Sequence, residues 1–156
     1  MAKRKTNRRN PRARPPAFTP VKLRSRKDGW TPHRQCGFLA SLYQTGSVAK
    51  AARAVGMSRE TAYRLRAREG AESFAAAWDR VLRKPAPQSR EKADWRKVTP
   101  SQLKWRTMIG LWRPVIHRGA LRHIAHKPDN SALLRLTARL AGRSVVAGEG
   151  GQAPPD

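Results

Sequence analysis

Acidic residues are scarce in this chain. Ten Asp and Glu stand against 34 Lys and Arg in 156 residues, a formal net charge of +24. Self-repulsion of that size opposes compaction unless a polyanion supplies the counter-charge, and nucleic acid is the expected partner. Cysteine is nearly absent. A single Cys36 excludes an internal disulfide and a multi-cysteine zinc site, suits a reducing compartment, and is expected to pack as a small hydrophobe. No uninterrupted apolar run approaches the roughly 18 residues of a membrane-spanning helix, and the basic N-terminus lacks the apolar stretch of a secretory signal. The reading is a cytoplasmic protein with no membrane partner. Aromatics make up 6% of the chain, so the core must be small.

Catalytic patterns are missing too. No Gly-Lys-Ser/Thr phosphate loop occurs, and Asp79, Glu91, Asp94 and Asp129 stand singly, without the carboxylate cluster of a two-metal nuclease. His33, His117, His123 and His126 do not complete a metal shell, since in a strand His123 and His126 point to opposite faces. No enzyme activity, cofactor or metal is expected.

What is present divides the chain into five parts. Residues 1–28 hold eleven basic residues, one acid and four prolines, the composition of a disordered arm that wraps phosphates without reading sequence. Lys3, Arg4, Lys5, Arg8 and Arg9 are its candidate phosphate contacts. Residues 29–84 carry helical signals. Thr31 and Pro32 open a helix whose apolar face is Phe38, Leu39 and Leu42, with Tyr43 at its edge and Gly46 at its end. Ser47 caps a second helix to about Val55, and Ser58 caps a third to about Glu69, closed by Gly70. Phe74, Trp78, Val81 and Leu82 form one face of a fourth.

Residues 85–98 read as a linker. In 99–142, Thr99 and Gln102 have capping-box spacing and open a helix to about Gly110. Val115, Ile116, Leu121 and Ile124 then surround an Arg118-Gly119 turn, the pattern of a short β-hairpin. Asp129 or Asn130 caps a last helix with a Leu133, Leu136 and Leu140 stripe, which Gly142 closes before a tail at 143–156. That stripe must be covered by self-association or by a protein partner. Among the five tryptophans, Trp78 is expected in the core, and Trp105 and Trp112 in partly buried or interface positions.

The stretch "SVAKAARAVGMSRETAYRLRAR", from Ser47 to Arg68, holds five arginines among alanines. Ala51, Ala52, Val55, Gly56, Met57, Ala62 and Leu65 fall where a helix-turn-helix unit carries its small or apolar packing residues, and the stretch resembles that motif. The resemblance implies a homeodomain-like helical domain in a mainly α chain, with Ser58 to Arg68 as a recognition helix whose N-terminal part enters the major groove. Burying Ala62 and Leu65 turns Arg59, Glu60, Tyr63 and Arg64 outward. With Ser58 these are the candidate base contacts, because an arginine fork matches guanine O6 and N7. Glu60 is expected to act locally, holding an arginine or favouring the helix N-terminus. Ser47, Lys50 and Arg53, with Arg66 and Arg68 at the flanks, are candidate phosphate contacts.

More widely, the passages at 29–68, 71–79 and 114–140 resemble a group of bacterial and phage helix-turn-helix proteins similar to terminase small subunits. That likeness implies a non-catalytic subunit of the bacterial cytoplasm or nucleoid that binds double-stranded DNA, forms a homo-oligomer and delivers DNA to a packaging motor subunit. Transcription regulators and transposases share the unit. The alternative is an RNA-binding or RNP-structural protein whose basic arm does the work.

Overall fold

The computed structural model describes residues 14–24, 26–83 and 98–148. The linker expected at 85–98 and the start of the basic arm lie almost wholly outside them, as does the end of the tail. The described chain is mainly helical, with one small antiparallel sheet. No helix among the described residues is long and apolar enough to cross a membrane.

Four helices come first. In α1 (Pro32–Thr45) the Thr31 side chain accepts from the Arg34 N–H, Pro32 occupies the first turn, and Phe38, Leu39 and Leu42 are fully buried. Ser47 and Ser58 cap α2 (Val48–Ala54) and α3 (Arg59–Arg66) by accepting from the Lys50 and Thr61 N–H groups. Helix α4 (Glu72–Val81) buries Phe74, Ala77, Trp78 and Val81. The third helix is shorter than its sequence suggests. The Arg68 N–H reaches back only three residues, to Leu65, which tightens the last turn, so Arg68 and Glu69 leave the helix before Gly70.

A second group follows. Helix α5 (Pro100–Ile109) opens with the expected reciprocal capping box of Thr99 and Gln102. Strands β1 (Leu111–His117) and β2 (Ala120–Lys127) form the hairpin, turning through Arg118 and Gly119, both with positive φ. The register slips between Val115 and Ile116, so that Val115 faces His123 but Ile116 faces Leu121. Gly110 joins α5 to the hairpin at φ +68, and a Cβ there would collide with the Lys127 carbonyl. Asp129 caps α6 (Asn130–Gly148) by accepting from the Ala132 N–H, and its carboxylate pairs with Arg106 at 3.1 Å, locking α5 to α6. Gly142 does not close α6. The helix runs on to Gly148, into the segment read as tail, because an isolated glycine inside a helix weakens it without breaking it.

The largest departure concerns the arm. Residues 14–24 are not a free tail: Phe18, Thr19, Pro20 and Val21 are buried. Backbone groups of this extended segment find their partners on remote parts of the chain. Phe18 and Trp112 exchange backbone hydrogen bonds, the Thr19 N–H donates to Ser73 Oγ, and Trp105 Nε1 donates to the Pro20 carbonyl at 2.9 Å. Gln35, fully buried on α1, accepts from the Val21 N–H at 2.8 Å and donates to the Val21 and Trp30 carbonyls. Charge composition hid this, because the segment's few apolar residues sit between basic ones that remain exposed, such as Lys22 and Arg24. Arg14–Arg24 thus behaves as a strap across α1, α4, α5 and β1.

Two consequences are measurable. Replacing Phe18 by Ala empties a site against Phe74, ring centroids 5.8 Å apart, and is expected to cost about 3–5 kcal/mol in urea unfolding. A freely disordered arm would show no change. Burial also pushes the Cys36 thiol from 9.0 up to about 12. The folded state keeps a proton that the unfolded chain releases, so this contribution is complete below pH 9.0 and is lost as pH rises through about 12. Cys36→Ala is therefore expected to lose less stability than the parent across that alkaline window, measured as urea midpoint against pH.

Candidate nucleic-acid interface

The connection between α2 and α3 is built from backbone bonds. Gly56 adopts φ +71, its N–H donates to the Arg53 carbonyl at 3.0 Å, and the Met57 N–H donates to Ala52 at 2.9 Å. This double closure is a Schellman motif, which reverses the chain within two residues and needs a left-handed residue at Gly56. Ala51, Ala52 and Ala62 are fully buried and Leu65 is 4% exposed, while Val55 and Met57 are half-buried against the same core. All seven packing candidates therefore lie in or beside the junction of α2 and α3. Arg34 ties this junction to α1, donating to the Gly29 carbonyl at 2.9 Å and touching Met57 Sδ at 3.8 Å.

With Ala62 and Leu65 inside, α3 divides its remaining side chains between two faces. Glu60 and Arg64 lie on the outer one and pair with each other, both about three-quarters exposed. Arg68 is exposed just beyond the helix, and Ser58 is exposed at its start, its hydroxyl held by Thr61. A water-exposed pair of this kind is worth at most about 1 kcal/mol, so Arg64 can exchange Glu60 for another acceptor at small cost. Glu60 thus has the local partner its position suggested.

The other face turns toward α4 and forms a stack. The Arg59 guanidinium lies 5.7 Å from the Tyr63 ring, Tyr63 lies 5.5 Å from Trp78, and Arg66 covers Trp78 at 5.6 Å. Tyr63 is only 39% exposed, so its ring is a support as much as an outward group. Arg66 points inward: it pairs with Asp79 at 2.7 Å, its side chain 32% exposed and that of Asp79 9%. The flank position expected to meet phosphate is engaged inside the protein.

On α2, Lys50 and Arg53 are exposed, whereas Ser47 is half-buried and occupied as cap. Lys3, Arg4, Lys5, Arg8 and Arg9 lie outside the described residues. Sequence reasoning missed Gln35 and Asp79. Gln35 precedes Phe38, Leu39 and Leu42 by three, four and seven residues, a spacing that places it on the buried face of α1. Asp79 adjoins Trp78, and a rare acid beside a core aromatic in so basic a chain was the available signal.

The hairpin carries Arg113, His117, Arg118, Arg122, His123 and Lys127 on exposed positions, with no acid among them. His126 instead contacts the Ile109 carbonyl at 2.6 Å and the Trp112 ring at 5.4 Å. Among the described residues, no three His, Cys, Asp or Glu come together in a way that could hold a metal ion. No protein-family model, curated protein or solved structure matches the chain.

Breaking the Arg66–Asp79 pair separates a structural from a nucleic-acid role. Asp79→Ala strands a partly buried guanidinium and is expected to cost about 2 kcal/mol, less than the roughly 3–5 kcal/mol of a fully buried pair because Arg66 still reaches water. Chemical denaturation measures it. An unchanged unfolding midpoint would show that Arg66 does not depend on Asp79.

Proposed function

We propose that this chain is a non-catalytic double-stranded DNA-binding protein, with α2, the Gly56 turn and α3 acting as a homeodomain-like helix-turn-helix. Helix α3 would lie in the major groove. The observation that carries the reading is the sidedness of α3: Ala62 and Leu65 are buried while Ser58, Arg59, Arg64 and Arg68 are exposed, in a chain of net charge +24. Arginine forks suit guanine edges, and Lys50 and Arg53 on the preceding helix suit phosphates. Of the candidates, Arg59, Arg64 and Ser58 are assigned to bases and Arg68 to the backbone. Glu60 positions Arg64, and Tyr63 supports Arg59. The biological role we assign is the one that the terminase small-subunit resemblance implies, a DNA-recognising subunit that hands DNA to a packaging motor.

Selection from a random duplex library, with RNA retention measured in parallel, tests this reading. The native chain is expected to enrich a motif. Arg59→Ala with Arg64→Ala is expected to flatten that preference, by roughly 1–3 kcal/mol for each guanine that no longer meets an arginine fork. Lys50→Ala with Arg53→Ala is expected to weaken all sequences alike and to reduce the salt slope by about 0.9 for each phosphate no longer neutralised. Retention of duplex DNA with no enriched motif would overturn major-groove reading, and preferential retention of structured RNA would favour an RNA-binding protein instead.

A further inference from the structure

Helix α6 has two unlike faces. Toward α5 it turns Ala132, fully buried, with Arg135, Leu136 and Arg139 half-buried, and Arg139 donates to the Val98 carbonyl ahead of α5. The opposite positions, Leu133, Leu134, Thr137, Ala138, Leu140 and Ala141, are exposed, with Leu134 70% open to solvent. None of the six is charged, in a chain where 34 residues are basic and ten acidic. Both arginines of this stretch lie on the α5 side. An apolar helix face left open to water marks an interaction surface, and its lack of charge selects the occupant. An acidic partner or a nucleic acid is met by Lys and Arg, which this face lacks. A second copy carries the same +24 and is repelled wherever two basic surfaces meet, so the surface on which copies approach must be neutral.

Side-chain size selects the orientation. Leu133 and Leu134 are bulky and lie at the N-terminal end of the face, Ala138 and Ala141 are small and lie towards its C-terminal end, and Thr137 stands between them. A two-fold axis beside Thr137 sets Leu133 of each copy level with Ala141 of the other, and Leu134 level with Leu140. This is the self-complementarity of an isologous interface, in which residue i meets j and j meets i. A parallel pairing would oppose every residue to its own copy, crowding Leu133 and Leu134 at one end and leaving a gap at Ala138 and Ala141. The antiparallel one also sets the positive N-terminal end of each helix beside the negative C-terminal end of the other. We propose that the chain forms a two-fold homodimer through antiparallel pairing of α6 with α6. The pairing does not rest on the DNA-binding reading, and either can fail alone.

The test is sedimentation of the full-length, nuclease-treated protein at high salt, which removes bound nucleic acid and screens charge. The expected mass is twice that of the 17.5 kDa chain. Leu134→Glu, at an exposed position, is expected to give a monomer with unchanged helical circular dichroism. Single-cysteine cross-linking tests the direction, since Cys36 is buried. Thr137→Cys meets its own copy at the axis and should form a disulfide dimer under mild oxidation. Leu133→Cys should not, because four residues from the axis the two copies stand about 12 Å apart along the helices, beyond disulfide reach. A monomer at high concentration, a mass unaltered by Leu134→Glu, or cross-linking through Leu133→Cys as efficient as through Thr137→Cys would overturn the proposal.

Discussion

Phe38 is the contact on which the remaining structure depends. Its ring lies 4.7 Å from Trp78, 5.5 Å from Trp30 and 6.0 Å from Phe74, and Phe74 in turn meets Phe18. These five aromatics bring together the strap, Trp30 ahead of α1, the middle of α1, and α4. Trp78 then passes the contact outward to Tyr63 and Arg66 on α3. In a chain with 6% aromatics, concentrating so many large side chains in one place is how a small core reaches sufficient buried area. The hairpin is held by the same system, through the Phe18–Trp112 backbone pair and the packing of His33 on Trp112 at 5.1 Å.

Two of the acids are used for joints. Asp79 fixes α3 to α4 through Arg66, and Asp129 both caps α6 and binds Arg106 of α5. Asp79 and Asp129 are themselves buried, where a carboxylate without a partner would be costly. Internal pairing of this kind withdraws negative charge from the surface. What remains outside is predominantly basic, so the positive surface field follows from how the fold is fastened as well as from composition.

Much of this was legible in the sequence because it is local. Caps at Thr31, Ser47, Ser58 and Thr99, the turn at Gly56 and the hairpin turn at Arg118-Gly119 depend on residues within a few positions of one another, and each is seen where its residue types place it. The burial of Ala51, Ala52, Ala62 and Leu65 follows from helical periodicity in the same way. The strap was illegible because its partners are remote: Phe18 reaches Trp112, Pro20 reaches Trp105, and the periodicity of 14–24 is neither helical nor alternating. The inward turn of Arg66 depends on Asp79, thirteen residues away on another helix. Composition marks a basic segment as unfolded, yet it cannot register a glutamine such as Gln35 that satisfies a buried backbone from the opposite side.

Helix α3 has only eight residues, from Arg59 to Arg66, and a helix that short does not persist alone in water. Its form and direction are imposed by its surroundings. Ser58 satisfies the Thr61 N–H at its start, Ala62 and Leu65 seat it on the core, and Arg66 fastens its end to Asp79. Holding one face so firmly leaves Glu60 and Arg64 on a rigid platform with no packing task beyond their mutual pair. Arg64 holds only an exposed partner, and Arg59 rests on the Tyr63 ring. Backbone order has been achieved in folding, so the binding proposed for α3 would cost only the ordering of a few exposed side chains. The core beneath Phe38 is thus what gives a short, polar, arginine-rich helix a fixed form and direction.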